Sequence, residues 1–123
     1  MASPIQLRNV VRYARDVKAS LPLYEALGFQ PVRAMDGFAM LRHESGLNLV
    51  LHGTLDGGEV PRQPIETTAL GFTMLGNDVA ASRAHIERAG WRLVRAPSAD
   101  DEGFFFIYGD LDGNLINLVG ERR

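Results

Sequence analysis

The chain has 123 residues, a formal net charge of −2 and no cysteine. That length suits one domain with a proper core and is too short for two independent domains to be expected. The absence of cysteine excludes disulfides, thiol catalysis and thiolate metal sites, and the small charge gives no reason to expect nucleic acid or an anionic membrane as partner. The N-terminus lacks the features of a signal peptide, and no apolar run approaches the ~20 residues of a membrane span. We therefore expect a soluble cytoplasmic protein.

The first half of the chain predicts a strand, a helix and three further strands. Asp16 stands where a helix N-cap belongs, since its carboxylate can accept hydrogen bonds from the unpaired amides of the first turn. Gly28 stands where that helix would end in a left-handed residue. Residues 37–53 read as a β-hairpin with Gly46 in its turn. Residues 54–67, which contain proline and glycine, predict a linker.

The second half repeats the pattern of the first. Residues 71–94 match residues 9–32 at a constant offset of 62, and Asp78 and Gly90 fall at the equivalent helix ends. The predicted helices carry apolar stripes at matching positions. These stripes are Val17, Ser20, Leu21, Tyr24 and Leu27 in the first helix, and Val79, Ser82, Ile86 and Ala89 in the second.

The repeat continues into a second hairpin. Residues 104–120 match the first hairpin at an offset of 67, with Gly113 in the turn. Two matching segments in the same order, with caps and glycines in register, indicate a duplicated architecture. The sequence therefore predicts one domain, 1–123, made of two βαβββ modules that span residues 5–53 and 68–121.

Two segments carry a resemblance to a known family. SLPLYEALGF (residues 20–29) and GDLDGNLINL (residues 109–118) belong to a pattern that resembles the vicinal oxygen chelate superfamily. That superfamily contains glyoxalase I, bleomycin-resistance proteins and extradiol dioxygenases. The resemblance covers residues 5–121 and implies an α+β fold in which two modules form curled mixed sheets around a cavity. It also implies a homodimer, but it leaves the function open because this scaffold hosts both enzymes and binding proteins.

Enzymes of this superfamily place one metal ligand on the first strand of each module and another on the last strand. Carried over to this chain, those positions are Asn9 and Val50 in the first module and Gly71 and Asn117 in the second. Valine and glycine have no ligating side chain, and asparagine is a poor sole ligand for a divalent transition metal. We therefore expect no metal and no other cofactor.

Strand alternation predicts which residues line the cavity, because every second residue of a strand faces the same side. With Asn9 and Asn117 taken as facing inward, the other predicted ligand-binding residues are Val11, Tyr13, Leu41, Val50, His52, Thr73, Phe104, Phe106 and Tyr108. A one-residue slip of the second hairpin would replace its three aromatic residues with Phe105 and Ile107. This lining suits a flat or amphipathic organic molecule, although the same composition also fills an ordinary β core.

The polar groups of this lining leave alternatives open. Asn9 and Asn117 either satisfy each other within the fold or bind a ligand or an ordered water. His52 is either bonded to backbone or water at a strand end, or it serves as an acid or base beside a tyrosine. The acidic residues of segment 98–104 predict a solvated rim or a mobile flap.

Three functions remain compatible with the sequence. The first is a metal-free protein that sequesters or carries a small hydrophobic or partly aromatic molecule, as a resistance protein of the bleomycin-resistance branch would. The second is a lyase, isomerase or dioxygenase-type enzyme of the same superfamily that uses unexpected metal ligands or none. The third is a structural or regulatory subunit with a collapsed pocket.

Overall fold

The computed structural model describes residues 3–98 and 103–121. The chain divides between Gly58 and Glu59 into two compact units. In chain order, the first unit contains β1 (Val10–Ala14), α1 (Val17–Glu25), β2 (Phe29–Met35), β3 (Phe38–His43) and β4 (Asn48–Gly53). The second unit contains a short 3₁₀ helix (Ile65–Thr67), β5 (Leu70–Thr73), α2 (Val79–Ala89), β6 (Arg92–Arg95), β7 (Gly103–Gly109) and β8 (Leu115–Glu121). The predicted α+β class and βαβββ order are confirmed.

Each unit has one four-stranded mixed sheet. The strand order is β1-β4-β3-β2 in the first sheet and β5-β8-β7-β6 in the second. β1 runs parallel to β4 and β5 runs parallel to β8, whereas the other neighbours are antiparallel. The two parallel pairs arise because the helix carries the chain back across its sheet before the hairpins begin.

Both helices begin where the sequence predicts, and α2 also ends there, at Gly90. α1 ends earlier than predicted, at Glu25 with Ala26 as its C-cap, and Gly28 supplies its positive φ of 99° in the turn that follows. Asp16 Oδ1 accepts a hydrogen bond of 3.0 Å from the Ala19 amide, and Asp78 Oδ1 accepts one of 2.9 Å from the Ala81 amide. Gly90 ends α2 with a φ of 124°, a conformation that favours glycine. Within the described residues, neither helix has the length and apolar character that a membrane crossing requires.

The helix of the first unit packs on one face of its sheet, which we call the helix face. There β3 and β4 bring together Ala39, Leu41, Leu49 and Leu51, each with 0% of its surface exposed. α1 adds Leu23 and Tyr24, which are also buried. The other side of each sheet is called the opposite face below.

The D-L-D-G-N turn before β8 is held by one buried carboxylate. Asp110 Oδ1 accepts hydrogen bonds of 2.9 Å from the amides of Asp112 and Asn114, and Oδ2 accepts one of 3.0 Å from Asn114 Nδ2. Gly113 supplies the positive φ, 83°, that closes the turn. The segment therefore fixes where β8 begins, and with it the register of the second hairpin.

Candidate functional site

The opposite face of the first sheet is built by residues that pair across three strands. Val11 of β1 lies beside Val50 of β4, and Val50 lies beside Met40 of β3. One pleat further on, Tyr13, His52 and Phe38 occupy the corresponding row; with Val11 and Val50, these three side chains form what we call the aromatic face. Directly paired residues of neighbouring strands point to the same side of the sheet, so these side chains share one surface.

His52 is at the centre of the aromatic face. Its ring centroid lies 5.8 Å from that of Tyr13 and 6.2 Å from that of Phe38, both in edge-on arrangements. His52 Nδ1 is 2.7 Å from the carbonyl oxygen of Gly53. A carbonyl oxygen can only accept, so Nδ1 donates this hydrogen bond. The backbone bond predicted for a strand-end histidine is therefore present.

The predicted position of Leu41 is wrong. Leu41 pairs with Leu49, not with Val50, and lies fully buried on the helix face. Both faces of β3 and β4 carry apolar residues, so alternation alone could not choose between the two registers. Met40 takes the place that Leu41 was predicted to have beside Val50.

In the second sheet, the opposite face is built around Asn117. Asn117 pairs with Gly71 of β5 on one side and with Ile107 of β7 on the other. Thr73, Val119 and Phe105 form the next row.

The register predicted for Phe104, Phe106 and Tyr108 is therefore wrong. These three side chains lie on the helix face of the second sheet, and the one-residue slip considered as the alternative gives the observed register. Phe105 and Ile107 share the face of Asn117 instead.

On the helix face, Tyr108 joins β7 to α2 through a polar cluster. Arg83 Nε donates a hydrogen bond of 2.8 Å to Tyr108 Oη, which donates one of 2.6 Å to Glu87 Oε2. The Arg83 guanidinium lies 4.4 Å from the centroid of the Phe106 ring. Burial raises the pKa of the Tyr108 phenol, and the hydrogen bond from Arg83 partly opposes that rise. This cluster anchors the helix to the strand.

The four positions that the family resemblance marks for metal ligands do not fit a metal. Asn9 precedes β1 and is half-buried, and Val50 is buried with 6% exposure. At the second pair, a β-carbon built on Gly71 would lie only 2.7 Å from Oδ1 of Asn117. The Asn117 amide therefore occupies the space that a ligating side chain at position 71 would need. One half-buried amide on each unit is not a donor set for a divalent transition metal.

The histidines do not supply an alternative donor set. His43 Nε2 lies 2.8 Å from the carbonyl oxygen of Leu27, and its Nδ1 lies 2.9 Å from Ser45 Oγ. His85 is exposed on α2. Among residues 3–98 and 103–121, no three His, Asp or Glu side chains gather in a way that could hold a metal ion. Most of the acidic segment predicted as a rim or flap, residues 99–102, lies outside the described residues.

Sequence reasoning missed several residues of these surfaces. Phe38 and Met40 complete the opposite face of the first sheet, and Arg83 and Glu87 complete the Tyr108 cluster. The spacing of Arg83 and Glu87, one helical turn apart with opposite charges, was a signal for a side-chain pair on α2. Their bond to a strand tyrosine depends on tertiary packing and has no local signal.

Comparison with known proteins places the chain in a family. The family model of the Glyoxalase/Bleomycin resistance protein/Dioxygenase superfamily matches residues 6–118. The chain belongs to this superfamily. No curated protein matches the chain in sequence.

Solved structures of the superfamily type share the fold over nearly the whole chain. A hypothetical protein of S. aureus, SA1046, is 19% identical with a TM-score of 0.74, covering 96% of this chain and 95% of that one. The fosfomycin resistance protein FosX of Listeria monocytogenes is 15% identical with a TM-score of 0.72, covering 99% and 96%. A bleomycin-binding protein, solved in complex with bleomycin, is 19% identical with a TM-score of 0.58, covering 96% and 100%. At these identities the likeness establishes the fold alone.

Proposed function

We propose that the protein binds a small, partly aromatic organic molecule without the help of a metal ion and sequesters or carries it. The observation that carries this proposal is the aromatic face of the first sheet, with Tyr13 and Phe38 arranged edge-on around His52. The Tyr13 hydroxyl and the His52 ring are the polar groups of this otherwise apolar surface, and a few polar groups among apolar ones are usual in a site for an organic ligand. We propose Asn9, which precedes β1 beside this face, as a further ligand contact.

The exposure of the aromatic face supports this assignment. Val11 is 48% exposed and Tyr13 is 40% exposed, although both belong to a strand whose alternate residues, Arg12 and Ala14, are buried. A ligand that covers these grouped apolar side chains removes them from water, and this burial favours the bound state. The tyrosine hydroxyl and the histidine ring can orient the polar part of a bound molecule.

The donor chemistry supports the absence of a metal from this function. The superfamily positions hold two amides, a valine and a glycine, and the Asn117 amide fills the space beside Gly71. Binding would therefore depend on apolar contact and hydrogen bonds.

The neighbouring structures support a small-molecule ligand in general terms. One is a bleomycin-binding protein in complex with bleomycin, and another is a fosfomycin resistance protein. Both are similar to this chain in fold, so they indicate what such a scaffold can hold without naming the ligand of this protein.

The direct test is a thermal-shift and NMR titration of the full chain with a panel of aromatic compounds. Saturable binding should weaken at least about tenfold in Tyr13→Ala and in His52→Ala, because these side chains form the centre of the proposed contact. Val32→Ala, an exposed valine on β2 outside the aromatic face, is the matched control and should bind as the parent does. No response across a broad panel, or equal binding by all three variants, would contradict the proposal.

Elemental analysis of protein purified without chelators or affinity tags separates this function from an enzyme of the same superfamily. We expect less than stoichiometric zinc, nickel, iron and manganese. A stoichiometric metal would overturn the assignment of the four ligand positions and favour a metal-dependent reaction centred on His52. We also propose that the chain forms a homodimer, which light scattering would measure.

A further inference from the structure

The two repeats pack their helices on their sheets differently. α1 buries four residues, Val17, Ser20, Leu23 and Tyr24, whereas Ile86 is the buried residue of α2. At the offset of 62 residues, α2 has a smaller or more polar residue at four positions of α1. Leu21, Leu23, Tyr24 and Leu27 correspond to Arg83, His85, Ile86 and Ala89. The second unit therefore has less apolar volume between helix and sheet.

A cavity of about 520 Å³ lies at the N-terminal end of α2. Its lining runs from the end of β5 through the loop to the first residue of α2, and includes one residue each from β7 and β8. The lining residues are Thr73, Met74, Leu75, Gly76, Asn77, Val79, Phe104 and Gly120. Phe104 shares its face of β7 with Phe106 and Tyr108, which contact α2, so the cavity opens onto the helix face of the second sheet.

In the first unit, a buried polar pair crosses the corresponding region. Arg12 Nη1 donates a hydrogen bond of 3.1 Å to Tyr24 Oη, and the two residues are 8% and 0% exposed. The equivalent positions of the second unit hold Met74 and Ile86, which cannot form such a bond. The space that Arg12 and Tyr24 span in the first unit is thus left to the smaller apolar side chains of Met74 and Ile86 in the second.

The chemistry of the lining defines the kind of ligand. Met74, Leu75, Val79 and Phe104 contribute apolar surface, and none of the lining residues among those that the structure describes is charged. Asn77 brings an amide. Apolar contact is the main interaction that this lining offers, and its described side chains provide no counter-charge, so an uncharged ligand is favoured. The volume falls within the ~300–1,000 Å³ of typical ligand pockets.

Phe104 favours a flat ring. Its own ring lies nearly parallel to that of Phe106, at 15° and 6.3 Å between centroids, at the end of a row of aromatic side chains along β7. Phe104 belongs to the lining, so a planar ligand in the cavity could contact its ring in one of the offset or edge-on arrangements that aromatic groups prefer.

We propose that the space between the N-terminal end of α2 and its sheet is a second binding site, which takes an uncharged aromatic molecule of one or two rings. It lies on the helix face of the second unit, so it is distinct from the aromatic face of the first sheet, and it does not depend on the function proposed above.

Indole, an uncharged two-ring compound, is the probe for this site. Titrated into the isotope-labelled full chain, it should produce saturable shifts of backbone amide signals at Thr73 to Asn77 and at Phe104. Changes at Tyr13 and His52 alone would place binding on the aromatic face; they would support the proposed function and overturn this inference. No saturable change up to the solubility limit of indole would also overturn it.

Gly120→Ala tests the cavity directly. A β-carbon at position 120 would lie 2.8 Å from Cε of Met74, so either the new methyl or the displaced methionine occupies part of the cavity. Indole binding should weaken at least about tenfold. The matched control is Gly53→Ala, the equivalent position of the first unit, where the nearest atom to the β-carbon is Gly37 O at 3.4 Å. It should leave indole binding within about twofold of the parent.

Val79→Phe fills the cavity from the helix side. It tests whether indole binds there if Gly120→Ala does not fold. Val79 is half-buried at the first position of α2, so a larger side chain can enter the cavity without displacing a buried core residue. Weakened binding in either folded cavity variant, with normal binding in Gly53→Ala, supports the site. Unchanged binding in every folded cavity variant overturns it.

Discussion

Asp110 shows how much of the fold can depend on one side chain. Its carboxylate is 5% exposed and accepts three hydrogen bonds from the turn between β7 and β8. Asn114, which supplies two of these bonds, also accepts a hydrogen bond of 2.5 Å from Gln63 Nε2. The acidic turn therefore has a structural role, which explains why the D-L-D-G-N segment is intact although the superfamily's ligand positions hold no carboxylate or imidazole.

Replacing Asp110 with alanine should lower the free energy of unfolding by about 2–4 kcal/mol, because it removes the carboxylate acceptor of one buried and one half-buried backbone amide and of one side-chain amide. Urea unfolding followed by circular dichroism would measure this. Asp110→Asn keeps one oxygen in place and should cost less than Asp110→Ala. Equal costs for the two variants would show that shape and burial of the side chain matter more than its oxygens.

Tyr108 should make stability fall at alkaline pH. Burial raises the pKa of its phenol above the usual value of about 10. The folded state therefore holds this proton more tightly than the unfolded state. The associated stability is fully present below pH ~10 and is lost as the pH rises through the pKa of the folded protein. In Tyr108→Phe this part of the alkaline loss should disappear, which unfolding curves measured on either side of pH 10 would detect.

The same substitution should also lower stability at neutral pH by about 1–2 kcal/mol, since it removes the acceptor of Arg83 Nε and the donor to Glu87. A variant as stable as the parent at neutral pH, with an unchanged alkaline slope, would contradict the role assigned to the phenol.

At the level of elements, the two helices have matching caps but unequal packing. Asp16 and Asp78 bond the amide three residues later in the same way. Because α2 buries Ile86 where α1 buries four side chains, α2 depends more on its cap and on its polar bond to Tyr108.

We expect native-state hydrogen exchange to give the amides of α2 an opening free energy about 1–3 kcal/mol lower than those of α1. Asp78→Ala should lower the protection of α2 by a further ~1 kcal/mol, because a helix amide loses its acceptor. Asp16→Ala is the matched variant in the first unit and should leave α2 unaffected. Equal protection of the two parent helices would contradict the packing difference on which the cavity depends.

The sequence predicts an element well when local residues allow only one arrangement of its ends and faces. The starts of both helices, the end of α2, the order of the strands and the duplication follow from caps, glycines and a repeated apolar pattern, and these were predicted correctly. The end of α1 was not, since the helix stops at Glu25 and not at Gly28. The faces of β3 and β7 were not, because F-A-M-L in β3 and F-F-F-I-Y in β7 are apolar on both sides. In such strands alternation carries no information about the register. The register of β7 depends instead on the geometry of the turn around Asp110 and Asn114, which local sequence patterns do not specify.

For the whole molecule, the sheet edges at β2 and β6 affect how copies of the chain could associate. Each of these edge strands contains a bulge at the same place in the repeat, with Val32 and Val94 as the unpaired residues. The two valines are 56% and 49% exposed. Exposed apolar edges invite pairing with another chain, whereas a bulge bends the strand and interrupts the ladder that such pairing needs. The repeated bulges therefore favour association through other surfaces.

This argument predicts that Val32→Lys combined with Val94→Lys leaves the oligomeric state unchanged. Since both side chains are exposed and neither residue is paired in the ladder, the cost in stability should stay within about 0.5 kcal/mol. Light scattering at several concentrations should give the same molar mass as for the parent, which we propose to be a homodimer. Gln30→Lys, an exposed polar position on β2, is the control for added charge. A fall from dimer to monomer in the double variant alone would place the interface at these edges and show that the bulges do not prevent pairing.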